Sequence, residues 1–318
     1  MAGGGGGGGG RGGPFVGRSP GQLVRQVRQT EDETAVKEFE TELSGIVGDL
    51  LASANSRDVA KVQERLDAVK AALTGPLETS VDTLFGGSVA KRTYVDGLSD
   101  VDSLLILDDS SLEGASPSEA IKKVAGIIQK DLGGAASTTT GKLAVTVRYR
   151  DGMELQLLPA FRTKDGLRVP SWSGDGWSSI APQEFQSALS ARNEECGGKL
   201  VPTIKLAKAV VATLPESQRL SGYHVESLAI EAFRNYQGPM TTGAMLPVFF
   251  DRARDLVKAP IRDRTGQSVH VDEYLGGVGS AQREAMSHIL SRIGKRMRNA
   301  SAHKSKDQWR AIFGLTDE

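Results

Sequence analysis

The segment from Leu84 to Leu107, LFGGSVAKRTYVDGLSDVDSLLIL, most constrains what this chain can fold into. Its last seven positions, Val101 to Leu107, are apolar almost throughout. Such a run predicts a strand covered on both faces. Upstream, Gly86-Gly87-Ser88 is a turn with little side-chain bulk, followed by a short helical stretch. Asp100 and Asp102 stand at the mouth of the strand. Residues two apart in a strand face the same side, so both carboxylates are expected to aim at one point. Two hard oxygen anions at one point suit Mg²⁺ bridging to substrate phosphates. Gly87 lets the backbone approach a triphosphate closely, and Ser88 offers a hydroxyl at a helix N-terminus whose amides point outward. The order predicts metal-dependent nucleotidyl transfer. An isolated Asp-x-Asp also suits a turn aspartate and a strand-entry aspartate bonded locally. The whole string favours the metal, because an aspartate at the mouth of an apolar strand demands a partner.

A third acid is expected from a neighbouring strand. Leu143 to Arg150 alternates, with Val145, Val147 and Tyr149 on one face, and Asp151-Gly152 is a hairpin signal. The return strand, Met153 to Leu158, closed by Pro159, offers Glu154 with Gln156 on the same face. For Glu154 the alternative is a solvated strand position. Cations to oppose a triphosphate are sought on GKLVPTIKLAKAVVATL, where Lys205 and Lys208 lie three apart on roughly one helix face. Either lysine alone also reads as part of a solvated basic stripe. Ser221 precedes the apolar helix VESLAIEAF and is a natural N-cap. The same turn offers a hydroxyl to phosphate and the Tyr223 ring to a base. Trp172 and Trp177 fit a cleft mouth, the core or a structural lid, and Arg296 and Arg298 fit a solvated helix end or a contact to nucleic acid or a partner.

Composition narrows the class. Lysine plus arginine equals aspartate plus glutamate at 39 each, which argues against a nucleic-acid coat or a membrane-surface protein. One cysteine, Cys196, excludes an internal disulfide framework and a cysteine-based zinc site. No apolar run reaches the length of a membrane span, and the leader MAGGGGGGGGRGGPF lacks the apolar core of a secretory signal. A cytoplasmic protein is expected, with no membrane partner.

Three regions are expected. Residues 1–30 read as a disordered Gly-rich tail. Residues 31–170 read as a helical spine plus a catalytic core. In the spine, apolar residues recur from Val36 to Leu51 and from Val59 to Leu73, either as one kinked helix or as two packed ones. Ser116-Pro117-Ser118-Glu119 is a capping box opening a helix to about Leu132. Residues 162–182 are turn-rich, and 171–318 read as a helical C-terminal domain with helices near 183–194, 198–214, 221–236, 243–257, 279–299 and 306–313. The fold class is α+β with a mixed sheet.

With these pieces in place, the chain resembles the polymerase-β-type nucleotidyltransferases. More narrowly it resembles the bacterial cyclic-oligonucleotide synthases of anti-phage CBASS signalling, kin to animal cyclic GMP–AMP synthase and the oligoadenylate synthetases. The resemblance runs from about Thr79 to Phe313. It rests on GGSVAKRTYVDGLSDVDSLLIL, ELQLLPAF, IKLAKAV, SGYHVESLAIEAF and DRTGQSVHVDEYLGG at 263–277. It implies a nucleotidyltransferase core that joins NTPs into a cyclic di- or trinucleotide and releases pyrophosphate. Asp100, Asp102 and Glu154 would be the metal and catalytic acids, with Mg²⁺ or Mn²⁺ as the ion. Gly87, Ser88, Lys205, Lys208, Ser221 and Tyr223 would bind nucleotide. Lys208 matches the phosphate-contacting helix lysine and Tyr223 the base-stacking tyrosine. Regulatory and effector proteins of a defence operon are implied partners. Two departures stand out. The third acid of many relatives falls at Gln156 here, with Glu154 one pleat earlier, and Gly222 occupies a place where relatives often carry serine. The zinc insertion used by the animal enzyme to sense DNA has no counterpart. A linear oligoadenylate synthetase, another NTP transferase and a catalytically silent nucleotide-binding module are the competing readings.

Overall fold

The computed structural model describes residues 20–54, 59–77, 81–85, 101–107, 112, 114–164, 166–171, 176–261 and 272–315. Two helices come first, α1 (Pro20–Ala54) and α2 (Val59–Thr74). Strands β1 (Asp82–Phe85) and β2 (Val101–Ile106) follow, then α3 (Pro117–Leu132), β3 (Ala136–Thr140), β4 (Val145–Tyr149), β5 (Glu154–Thr163), β6 (Gly166–Pro170) and β7 (Trp177–Ile180). The remainder is helical: α4 (Pro182–Glu195), α5 (Leu200–Ala212), α6 (Gly222–Ala232), α7 (Thr242–Leu256), α8 (Ala281–Ala302) and α9 (Lys306–Ile312).

The strands form a mixed sheet in the order β1-β2-β5-β4-β3, extended off the end of β5 by β6 and β7. Among the described residues the β2–β5 pair is parallel and the other pairings are antiparallel. The run Leu104 to Leu107 is buried residue by residue, as a doubly covered strand requires. On one face Leu105, Val145, Val147, Leu155 and Leu157 pack under α2 and α3, whose Leu66, Val69, Leu73, Val124 and Ile128 complete that core. Each such side chain contributes about 1.5–3 kcal/mol by leaving water. On the other face Leu104, Ile106 and Ala160 pack with Leu167 and Val169 of β6.

Local chemistry explains the boundaries. Ser116 accepts from the Glu119 amide while the Glu119 carboxylate accepts from the Ser116 amide at 2.9 Å, closing the capping box of α3. The hairpin turns at Gly152, whose φ of 87° suits glycine. The Asp151 carboxylate accepts from the Met153 amide inside the turn and pairs with Lys61 and Arg65 of α2, which ties the turn to the helix. Burial at Val145, Val147 and Tyr149 follows the expected alternation.

Four sequence expectations need correction. Helix α1 begins at Pro20, inside the segment expected to be an unstructured tail to residue 30. Pro suits a first helical turn, and Gln, Leu and Arg are good helix formers. Pro159 does not close β5, which continues to Thr163. It is paired with Leu105 on the β2 side, and β4 has already ended opposite Leu157, so the missing proline N–H falls in a gap in the ladder. The turn-rich stretch 162–182 holds β6 and β7, whose brevity and flanking glycines hid them. The expected spine also divides. Leu43 and Val47 of α1 join the core of the helical half, whereas α2 packs on the sheet.

Candidate functional site

The expected site residues fall into two groups, one on the sheet and one on the helical half. In the parallel ladder Asp102 is level with Gln156, and Val101 with Leu155. Position 102 is in phase with Leu104 and Ile106 along β2. On β5, Glu154 and Gln156 are in phase with Leu158, which packs with the same small cluster as Leu104 and Ile106. The polar positions 102, 154 and 156 therefore share one face at one end of that strand pair, beyond the apolar cluster. Gly87, Ser88 and Asp100, together with the Asp102 side chain, lie outside the described residues.

Glu154 is not a bare carboxylate. It pairs with Arg148, its register partner on β4. Gln156 is half-buried between Asp102 and its β4 partner Thr146. Among the described side chains no group of three or more His, Cys, Asp or Glu converges as a metal centre would require. Carboxylate and amide oxygens from positions 102, 154 and 156 are the hard donors that Mg²⁺ accepts.

In the helical half, α5 and α6 bring Lys208 against the turn at 221–223. Lys208 Nζ lies 2.8 Å from Glu226 Oε1, with both side chains buried. A Cβ on Gly222 would meet Lys208 Nζ at 3.4 Å, an ordinary contact distance, so the ammonium lies directly beside the turn. Lys205 is half-buried, and its pKa is held below the usual lysine value first by burial and then by the charge of Lys208. Ser221 is the N-cap of α6, its Oγ accepting from the His224 amide at 3.2 Å. The half-buried Tyr223 ring lies 4.5 Å, centroid to centroid, from Phe185 of α4.

Behind that turn is a polar cluster that the sequence reading missed. The Tyr274 hydroxyl accepts from the Ser221 amide at 3.1 Å and lies 2.8 Å from His224 Nδ1. His224 is fully buried, and burial pushes its pKa down to about 4. Tyr274 is pushed up to about 12, mainly by burial. Asp272 and Arg283 form a buried ion pair, and Arg283 also donates to the Gly276 carbonyl at 2.8 Å and the Val257 carbonyl at 2.9 Å. Signals for these residues existed. Glu226 is a charge set between apolar Val225 and Leu228 in α6, and Arg283 sits in a first helical turn, where a cation is disfavoured. Two other residues read as ambiguous have structural jobs. Trp177 donates to the Ala115 carbonyl and stacks edge-on with Phe161, and Arg298 pairs with Asp251.

Residues 40–193 match the Second Messenger Oligonucleotide or Dinucleotide Synthetase domain, SMODS. No curated protein matches. Among solved structures, the CD-NTase CdnG of Bradyrhizobium diazoefficiens in complex with GTP superposes with a TM-score of 0.65 at 16% identity, covering 80% of this chain and 90% of that one. The CdnC:HORMA-deltaN complex of Escherichia coli MS115-1 gives 0.62 at 14% identity, covering 86% and 96%. The Vibrio cholerae di-nucleotide cyclase DncV, solved with ATP and GTP, gives 0.56 at 9% identity, covering 94% and 92%. At these identities the superpositions establish the fold. Sheet, helical half and domain match together define a nucleotidyltransferase. Over residues 40–193 the chain is similar to the SMODS synthetases, and its fold is that of the CD-NTase structures.

Proposed function

We propose that the chain joins NTPs into a cyclic di- or trinucleotide second messenger in a Mg²⁺-dependent reaction that releases pyrophosphate. The observation that carries this reading is the parallel register that sets Asp102 level with Gln156 and one pleat from Glu154. Asp100, one residue before the first register pair, and Asp102 would hold the metal, with Glu154 as the third acid. Bound there, Mg²⁺ or Mn²⁺ would supply charge to stabilise the α-phosphate as a hydroxyl attacks it. Gly87 and Ser88 would cradle the triphosphate. Lys205 and Lys208 would oppose its charge, Lys208 from beside the N-terminal turn of α6. Tyr223, braced by Phe185, would stack on a base. Ser221 would contact phosphate from the helix cap. A second attack on the linear intermediate would close the ring.

The CdnC relative is solved with HORMA-deltaN, and by analogy regulatory and effector proteins of an anti-phage operon are the partners we assign here. No helix among the described residues is long and apolar enough to cross a membrane; we place the protein in the cytoplasm. Domain limits of 31–170 and 171–318 stand as our working division, amended by the placement of α1 and β7.

The test is incubation with labelled NTPs and Mg²⁺, with phosphatase treatment and mass spectrometry of the product. A phosphatase-resistant ring is the expected result, and a ladder of linear species would select an oligoadenylate synthetase or related transferase instead. The Glu154–Arg148 pair favours a second reading, a nucleotide-binding module without turnover. Calorimetric NTP binding with no pyrophosphate release would select it.

A further inference from the structure

We infer that Tyr274 is a positioning residue for the nucleotide-binding turn Ser221-Gly222-Tyr223, acting through a hydrogen-bond chain that ends on buried His224. This rests on the reading of that turn as a nucleotide contact. The Ser221 amide donates to the Tyr274 oxygen at 3.1 Å. The Tyr274 O–H is then left to donate to His224 Nδ1, 2.8 Å away. That assignment puts the imidazole proton on Nε2, which faces Asp272 Oδ2 at 3.8 Å. Arg283 locks Asp272 in turn, through one ion pair and donation to the Asp272, Gly276 and Val257 carbonyls. His224 Nε2 has no hydrogen-bond partner among the described residues, so the ring is held chiefly through Nδ1. One phenol thus fixes the amide of the helix cap and links α6 to the segment entering α8. The Ser221 amide is tied to Tyr274 and its Oγ caps the His224 amide, so the turn backbone has little freedom to rotate. That rigidity sets the place of the Tyr223 ring and of Gly222 beside the Lys208 ammonium.

The experiment measures binding of a non-hydrolysable NTP analogue by calorimetry, and amide exchange at Ser221–His224, in the full chain. Tyr274→Phe keeps the ring and deletes one oxygen. It is expected to weaken binding about tenfold, the scale of one lost hydrogen bond, and to speed exchange of the Ser221 amide. A second pair guards against unfolding. His224→Asn keeps an acceptor near the Nδ1 position, and His224→Leu removes it. Positioning predicts that Asn binds nucleotide better than Leu, whereas a purely apolar packing role predicts the reverse. If the parent binds and Tyr274→Phe binds equally well, or Leu outperforms Asn, the inference is overturned while the site assignment stands. If the parent binds no NTP, both fall together.

Discussion

Lys208 and Glu226 meet inside the helical half as a buried ion pair, Nζ to Oε1 at 2.8 Å, beside Gly222. A buried charge without its partner is expensive, while an apolar replacement of both is often neutral. Glu226→Ala is therefore expected to cost about 3–5 kcal/mol in denaturant unfolding. The double variant Lys208→Met with Glu226→Leu should recover most of that stability. It should not recover nucleotide binding, because the cation is gone. Recovery of both by the double variant would remove Lys208 from the site.

The His224 pKa near 4 makes a pH prediction. The folded value lies below the ordinary 6.5, so between pH 6.5 and 4 the unfolded chain takes up a proton that the folded chain refuses. Stability therefore falls as pH drops through this window, and His224 contributes its share fully only above pH 6.5. The shift corresponds to on the order of 3 kcal/mol. Urea midpoints at pH 7.5 and 4.5 should differ markedly in the parent and much less in His224→Asn. The same slope in both proteins would contradict this account.

Removing acid from the SDVD string should leave the fold and abolish chemistry. Asp102→Asn, and separately Asp100→Asn, is expected to lower pyrophosphate release by at least about a hundredfold, the scale of losing one preorganised electrostatic contact at the reacting phosphate. Melting temperature should stay near that of the parent. Undiminished release from Asp102→Asn would overturn the metal assignment.

Glu154 and Gln156 compete for the third position, and the register makes the competition measurable. Glu154→Gln should raise the Mg²⁺ concentration needed for half-maximal rate and lower the rate about 10- to 100-fold, the usual cost of weakening a metal site. Arg148→Ala, which frees the Glu154 carboxylate, should lower that Mg²⁺ requirement. Adding Gln156→Glu to Glu154→Gln puts an acid level with Asp102 and should restore activity. If Glu154→Gln has no effect on either quantity, Glu154 is a solvated strand residue.

Much of the framework could be read from the chain because period and capping chemistry are local. The α3 capping box, the Asp151-Gly152 turn, the alternation in β4 and the helix limits from Pro182 onward all follow from neighbours in sequence. β6 and β7 were hidden because each is short and pairs only through its neighbour strand. Pro159 misled because its tolerance depends on where β4 stops, a fact of the sheet and not of the strand. Site residues split the same way. Lys208, Ser221 and Tyr223 were visible as motif positions, whereas Glu226, Tyr274 and Arg283 matter through contacts across 18, 53 and 26 residues of chain. No window of sequence carries such long pairings.

The division of the first two helices bears on how the protein assembles. α2 through β7 is one uninterrupted stretch and holds the whole sheet core, so it can close as soon as it has been synthesised. The stripe of α1 that carries Leu43 and Val47 belongs instead with α5, α7 and α9, which leave the ribosome much later. The earliest helix must wait, with apolar side chains wet, for the last ones to arrive. A chaperone that shields that stripe during translation would find its substrate there, and a chain halted after β7 would carry a finished sheet beside a helix with nothing to lie on.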